Sequence, residues 1–151
     1  MSDSSSAQYI DVYNQAVKYI GMRSHTVFEL KTKLNRKKYP INLIDSAIKE
    51  LQTQKYVNDK DFAQVFTQNL IKYKTFGYYG IKNKLKARGL SDQICEEILS
   101  EELDAETEKK IAQKAIGKSP RKEKIKLMQM LQRKGFRMQA ISPLLGDYSE
   151  D

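Results

Sequence analysis

One segment of this chain is written three times. Leu30-Lys-Thr-Lys-Leu34-Asn-Arg-Lys-Lys38-Tyr39 aligns with Ile81-Lys-Asn-Lys-Leu85-Lys-Ala-Arg-Gly89-Leu90, and both align with Leu127-Met-Gln-Met-Leu131-Gln-Arg-Lys-Gly135-Phe136. Shortly after each copy a second apolar pattern begins: Leu43, Ala47 and Ile48, then Ile94, Ile98 and Leu99, then Ala140, Leu144 and Leu145. Ahead of each copy lies another amphipathic stretch, at Gln8 to Ile20, Asp61 to Tyr73 and Glu106 to Ile116. A period of about 50 residues carrying three such stretches marks stacked supersecondary units. A unit that short excludes little apolar surface from water alone, but units in series share a core with their neighbours. The pattern therefore predicts an all-α fold, an elongated and curved array of three tandem three-helix repeats. Its divisions are a disordered tail at 1–7, repeats at 8–57, 58–103 and 104–146, and an acidic tail at 147–151.

The helical reading rests on spacing. Tyr13, Val17 and Ile20 recur at helical intervals, as do Val27, Leu30 and Leu34, and Phe62, Phe66 and Leu70. Seven Gly and three Pro leave few breaks, and the polar positions are filled by Lys, Glu and Gln, which lose little rotamer freedom in a helix. Thr26 with Glu29 forms a capping box. Asn58 or Asp59 can cap the helix that carries Phe62, and Ser119 before Pro120 suits a helix start. Gly89 and Gly135 sit where a left-handed residue ends the middle helices. Lys38 stands there in the first repeat, so that helix should lean on Pro40 and end less regularly.

Composition removes several function classes. With 40% hydrophobic and 30% charged residues among 151, the chain can bury a core and reads as soluble. No run approaches the roughly 18 apolar residues of a membrane span, and the first residues are polar, so neither export nor membrane insertion is expected. The single Cys95 makes no internal disulfide and joins no Cys/His set for zinc, which points to a reducing cytoplasm.

Charge is blocked along the chain. The formal excess is +8, from 27 basic and 19 acidic residues. Residues 71–90 carry Lys72, Lys74, Lys82, Lys84, Lys86 and Arg88 with no acid, whereas 91–108 carry eight acids and no base. The stretch 109–137 holds eleven bases against Glu123. Repeats stacked in register would gather these bases into a stripe, the footprint of a surface for nucleic acid or an acidic protein groove. On the second middle helix, Tyr78, Ile81 and Leu85 share one face while Tyr79, Lys82 and Lys86 share a flank. A tyrosine beside lysines can stack on a base while the amines meet phosphates. The acidic run reads as an intrachain counterweight.

Single residues that invite a catalytic reading have plainer ones. His25 sits beside a capping position with no catalytic partner at readable spacing. Cys95, near Ile94 and Ile98, reads as a small core residue. Asp59 and Asp61 read as helix-capping acids, and Met128, Met130 and Met138 as core filling. No phosphate loop, nucleophile elbow or histidine motif occurs. No enzyme activity, cofactor or metal is expected.

Tyr56-Val-Asn-Asp59-Lys-Asp61-Phe62-Ala63, then Gly77, then Ile81 through Leu90, resembles the central signature of the RecX regulatory proteins. Arg23-Ser-His25-Thr26-Val-Phe-Glu29-Leu30 and the stretch Lys126 to Phe136 resemble the flanking family segments in order. The likeness runs from Tyr9 to Leu145, with departures at Lys38, where the later repeats have Gly, and at Asn58, where an acid is frequent. The resemblance implies a bacterial cytoplasmic modulator of the RecA recombinase, concerned with DNA recombination and repair and the SOS response. It implies tandem repeats lodged in the groove of the RecA filament on DNA, restraining filament growth, ATP hydrolysis, strand exchange and coprotease activity. DNA, single- or double-stranded, would be met weakly or through the filament, with no membrane partner and a monomeric chain. Autonomous DNA binding and an adaptor for acidic peptides are the alternatives. Chosen by charge and position, the expected contacts are Lys74, Tyr79, Lys82, Lys86 and Arg88 in the second repeat, with Arg36 and Arg133 in the aligned segments.

Overall fold

The computed structural model describes residues 2–146, with side chains from 6 onward. The expected acidic tail at 147–151 lies outside the described residues. Nine helices and no strand occur among the described residues: α1 (Ser2–Met22), α2 (Val27–Arg36), α3 (Ile41–Thr53), α4 (Asp59–Tyr73), α5 (Tyr78–Ala87), α6 (Asp92–Glu102), α7 (Ala105–Lys118), α8 (Lys124–Arg133) and α9 (Met138–Leu145). Helix α1 starts ahead of Gln8, so positions assigned to a disordered tail are helical. A run of Ser and Asp carries no apolar face, and periodicity cannot register a helix that has none.

The chain divides into two compact units. The first holds residues through Phe62 together with Arg88–Leu90; the second holds Ala63–Ala87 and the described chain from Ser91 onward. In the first, α1, α2 and α3 pack mutually around Val12, Ala16, Leu30, Leu34, Ile44, Ala47, Ile48, Leu51 and Val57. Val17, expected inside, is 44% exposed. The buried line of α1 runs through Val12 and Ala16, one helical step from the line of Tyr13 and Val17, because the tyrosines border the core and turn their hydroxyls outward. Tyr9 donates to Glu50, and Tyr13 to Gln54 Oε1 at 2.8 Å. In the second unit α5 packs on α6, while α7, α8 and α9 pack mutually. Ile81, Leu85, Ile98, Leu99, Leu131 and Ile141 are sealed from solvent there. Cys95 is fully buried, and burial pushes its thiol up, which leaves it an inert core residue.

Local chemistry sets the helix starts. The Thr26–Glu29 capping box is present, Glu29 N donating to Thr26 Oγ1 and Thr26 N to Glu29 Oε1, both at 3.1 Å. Asn58 caps α4 by accepting from Asp61 N at 3.1 Å. Asp59 is spent elsewhere: its Oδ1 accepts from Val27 N at 2.8 Å, at the first residue of α2. Ser119 does not start α8. It closes α7 in an extended conformation, and α8 begins only at Lys124. The Ser-Pro pair acts here as a stop, because a proline disfavours the helical conformation in the residue before it.

A corner recurs in both units. In the first, Thr26 Oγ1 donates to Arg88 O at 2.7 Å, and Gly89 lies against the Phe28 ring with φ +85°. In the second, Gly77 N donates to Lys134 O at 3.0 Å and Tyr79 N to Gly135 O at 2.8 Å, with Gly135 at φ +84°. The basic-Gly pair that ends one middle helix thus docks on the start of another. At the corresponding place after α2, Lys38 holds φ 63°. The first repeat therefore ends in the same left-handed conformation as the others, and the irregular end expected there is absent. Lys38 is exposed, so its Cβ meets no docked backbone and only the conformational cost remains. That cost is about 1–2 kcal/mol for a residue with a Cβ, partly offset by the greater entropy glycine loses on folding. Lys38→Gly is expected to raise stability by about 0.5–1 kcal/mol, read as a later urea midpoint at unchanged slope.

The connector from α1 to α2 holds a second polar cluster. His25 is buried, with Nδ1 2.9 Å from Arg23 O and Nε2 2.7 Å from Lys33 Nζ. Nε2 faces an ammonium, so it accepts, and the ring hydrogen sits on Nδ1 and is donated to Arg23 O. Burial lowers the His25 pKa below its ordinary 6.5, against the upward pull of the hydrogen bond to Arg23 O and, more weakly, of the Glu29 charge, and the charges of Arg23 and Lys33 add to the lowering. A depressed histidine pKa means the unfolded chain takes up the proton first as pH falls. Stability is therefore expected to fall as pH drops below about 6.5, and His25→Gln, which keeps a neutral donor and acceptor, should flatten that part of the profile. Denaturant midpoints at closely spaced pH values check it; identical slopes in both proteins would sink it.

Candidate functional site

The expected contact residues divide by what they already touch. In the second unit, Lys82 Nζ lies 3.3 Å from Glu96 Oε1, and Lys86 Nζ lies 2.6 Å from Asp92 Oδ1. The hydrogen bond to Glu96, reinforced by its charge, holds the Lys82 ammonium above the usual lysine range; the hydrogen bond from Lys86 holds Asp92 below the usual carboxylate range. The α5 lysines are thus answered by α6 acids one connection later in the chain. Tyr79 is 54% exposed and meets Tyr78 edge-on, with centroids 5.2 Å apart. Lys74 is exposed in the link from α4 to α5. Near it, Phe76 is flanked by Lys84 Nζ at 4.5 Å and Lys134 Nζ at 5.3 Å from its centroid. Arg133 is exposed on the last turn of α8.

In the first unit, Arg88 Nη1 lies 3.1 Å from Glu29 Oε2 and its guanidinium 5.6 Å from the Phe62 centroid. Glu29 also takes Arg23 at 3.3 Å. Burial works to raise the Glu29 pKa, but the Arg23 hydrogen bond, the Thr26 N–H and the charges of Arg23 and Arg88 outweigh it, and the carboxyl stays below its ordinary range. Arg36 is exposed at the end of α2. Among the described residues no carboxylate lies within ion-pair distance of Arg36, Lys74 or Arg133, in contrast to Lys82, Lys86 and Arg88. A cation already held by a carboxylate must exchange that partner for a new anion, and so gains less from it.

Two features escape a reading of the sequence. Glu108, placed by its neighbours in an acidic surface run, is fully buried. Its Oε2 accepts from Tyr78 N at 3.0 Å and Arg137 N at 2.9 Å, and its Oε1 from Arg137 Nε at 2.7 Å. One carboxylate thereby holds the starts of α5 and α9, with Arg137 stacked 4.3 Å over the Tyr78 centroid. The second is a cleft of about 400 Å³ beside α8, lined by Ser119, Pro120, Arg121, Lys126, Met130 and Arg133 among others. Arg121 and Lys126 were visible only as members of a basic block. Among the described residues no group of His, Cys, Asp and Glu is arranged to hold a metal, and no helix is long and apolar enough to cross a membrane.

Two family models match the chain: the first three-helix domain of RecX over 13–51, and the third over 97–145. The regulatory protein RecX of Bacillus pumilus is 33% identical over 142 residues, covering 88% of this chain and 53% of that protein. The regulatory protein RecX of Prosthecochloris aestuarii is 32% identical over 101 residues, covering 67% of this chain and 65% of that protein. The chain thus spans about half to two thirds of the length of these relatives. A crystal structure of RecX from Lactobacillus salivarius shares the fold, with a TM-score of 0.84 over 97% of this chain and 99% of that one at 23% identity. With nine helices in the described residues, family-domain matches to the α1–α3 and α7–α9 regions and relatives above 30% identity, the chain belongs to the RecX family of regulatory proteins.

Proposed function

We propose that this chain restrains the RecA recombinase by binding in the groove of its filament on DNA. Bound there, it opposes filament growth, ATP hydrolysis, strand exchange and coprotease activity, as a cytoplasmic monomer without catalysis or cofactor. Repeats 8–57, 58–103 and 104–146 act as successive contact modules in this reading. The observation that carries it is family membership over most of the chain. The exposed, unanswered Arg36, Lys74 and Arg133 support it, because weak contacts spread over linked modules add up to avidity without any one being strong.

Protein titrated into preformed RecA filaments is expected to depress ATPase and strand exchange at less than one molecule per recombinase protomer. Unchanged activities at saturation would refute the proposal. The triple change Arg36→Glu, Lys74→Glu and Arg133→Glu should weaken inhibition roughly tenfold, about 1.4 kcal/mol of binding, with helical circular dichroism intact. The pair Lys82→Glu and Lys86→Glu is a poorer probe, since it sets new carboxylates against Glu96 and Asp92 and disturbs α5 on α6 as well.

A further inference from the structure

At α2 and α5 the start of the middle helix is covered by chain that comes later. Asp59 Oδ1 accepts from Val27 N and Glu108 Oε2 from Tyr78 N, at two aligned positions of the repeat. Both acids stand six residues beyond the end of the preceding third helix, at Thr53 for α3 and Glu102 for α6. Beside those starts, Glu29 takes Arg88 at 3.1 Å, and Gly80 lies against Lys134 O, where an added Cβ would clash. On α8 the residues aligned with Val27 and Glu29 are Lys124 and Lys126. Glu123, ahead of them, caps nothing with its side chain. Lys126 lines the cleft of about 400 Å³ with Arg121 and Arg133, over a floor that includes Pro120 and Met130. These three cations are exposed, and among the described residues none lies within ion-pair distance of a carboxylate. The surface that later chain covers at α2 and α5 is therefore open at α8, and its charge is reversed: lysine stands where Glu29 receives an arginine.

We propose that the acidic segment 147–151 folds back over the start of α8 and seats its carboxylates in this cleft. Chain length allows it. Gly146, at φ +76°, turns the chain beside the first turn of α8, where a Cβ added to it would stand 3.8 Å from Lys124 Nζ. The five residues that follow reach up to about 17 Å when extended, more than the roughly 10 Å across a helix. Their charge matches: Asp147, Glu150 and Asp151 are three acids with no base among them, opposite three cations. Their register matches too, since the residue six beyond Leu145, the end of α9, is Asp151. Tyr148 supplies a ring for the apolar floor. A tethered acid competes at high effective concentration, so an outside polyanion gains the cleft only by displacing the segment. The contact is internal to the chain and is independent of what the chain regulates.

The test is nuclear magnetic resonance on the full chain with a nitroxide attached through Ser149→Cys; Cys95 is fully buried and stays unlabelled. At low salt the label should broaden the amide signals of Arg121, Lys126 and Arg133. In the cleft variant Arg121→Gln, Lys126→Gln and Arg133→Gln that broadening should fall by about threefold or more, as it should in about 1 M salt, where the Debye length is near 3 Å. The control Lys18→Gln, Lys49→Gln and Lys110→Gln, at exposed positions outside the cleft, should leave it unchanged. Displacement is read by calorimetry with inorganic tripolyphosphate. Asp147→Asn, Glu150→Gln and Asp151→Asn together should tighten its binding about fivefold, and should have no such effect in the cleft variant. Broadening that survives neutralisation of the cleft overturns the proposal, as does a tripolyphosphate affinity that is unmeasurable or that the acids do not change. So does broadening in an isotope-enriched chain without the label when labelled chain is added, because the occupant is then a second copy.

Discussion

Glu108→Ala is expected to destabilise the protein by about 3–5 kcal/mol, the range found when one partner of a buried charge pair is removed. The carboxylate is fully buried and accepts three hydrogen bonds, two from the backbone N–H groups of Tyr78 and Arg137 and one from the Arg137 side chain. Alanine leaves the partly buried N–H groups of Tyr78 and Arg137 without an acceptor and the largely covered guanidinium with only Leu103 O at 3.4 Å, and opens a cavity between α5, α7 and α9. Glu108→Gln keeps the volume but offers one oxygen where two were used, so it should fall between alanine and the native residue. The double change Glu108→Leu with Arg137→Met removes the charges together and should recover part of the loss. Recovery stays incomplete because the Tyr78 and Arg137 N–H groups remain orphaned. Urea unfolding with unchanged slope reads these differences. An alanine variant within 1 kcal/mol of the native protein would show that water or another group replaces the carboxylate.

The two acids that join helix starts mark where sequence reading stopped. Apolar spacing located the stretches that became α2, α3, α5 and α6, since Leu30, Leu34, Ile48, Ile81, Leu85 and Ile98 are buried as the pattern requires. The capping box at Thr26 was legible because both of its partners lie within four residues. Asp59 and Glu108 were not, because Val27 stands 32 residues before Asp59, and Tyr78 30 residues before and Arg137 29 residues after Glu108, and an acid within an acidic run looks solvated. A separation of 14 residues likewise hid the pairing of Lys82 with Glu96, which cancels charge that appeared available when the basic and acidic blocks were counted apart. Ser119-Pro120 misled for another reason: the pair has two physical uses, and only the conformation of the preceding turn decides between them. Lys38 misled because a left-handed conformation was expected to demand glycine, whereas an exposed lysine adopts it at a modest cost. Among the cations, pairing with a carboxylate separates Lys82, Lys86 and Arg88 from Arg36, Lys74 and Arg133, a distinction composition does not contain.

Gly135 should tolerate substitution far less well than Lys38 suggests, although both hold the same left-handed backbone. At Lys38 the side chain meets solvent. At Gly135 an added Cβ would run into the backbone of Tyr79 and Gly80, and one added at Gly80 would run into Lys134 O. Backbone cannot swing aside as a flexible side chain does, so Gly135→Ala must lift the corner away from the start of α5. That movement breaks or stretches the bonds from Gly77 N to Lys134 O and Tyr79 N to Gly135 O. Left-handed strain of about 1–2 kcal/mol and two hydrogen bonds worth about 1 kcal/mol each sum to a loss of about 3–4 kcal/mol. For a domain of this size that is a fall in Tm of roughly 10 °C. Gly117 is the internal control: nothing lies within 4 Å of a Cβ built there, and it stands in the last turn of α7. Gly117→Ala should raise stability by about 0.5–1 kcal/mol, the ordinary gain of alanine over glycine in a helix. Opposite signs for the two glycine-to-alanine changes would establish that close backbone approach, rather than helix propensity, sets the cost at the corner. A Gly135→Ala protein as stable as the native one would mean that the basic-Gly ends of the middle helices do not hold the starts on which they dock.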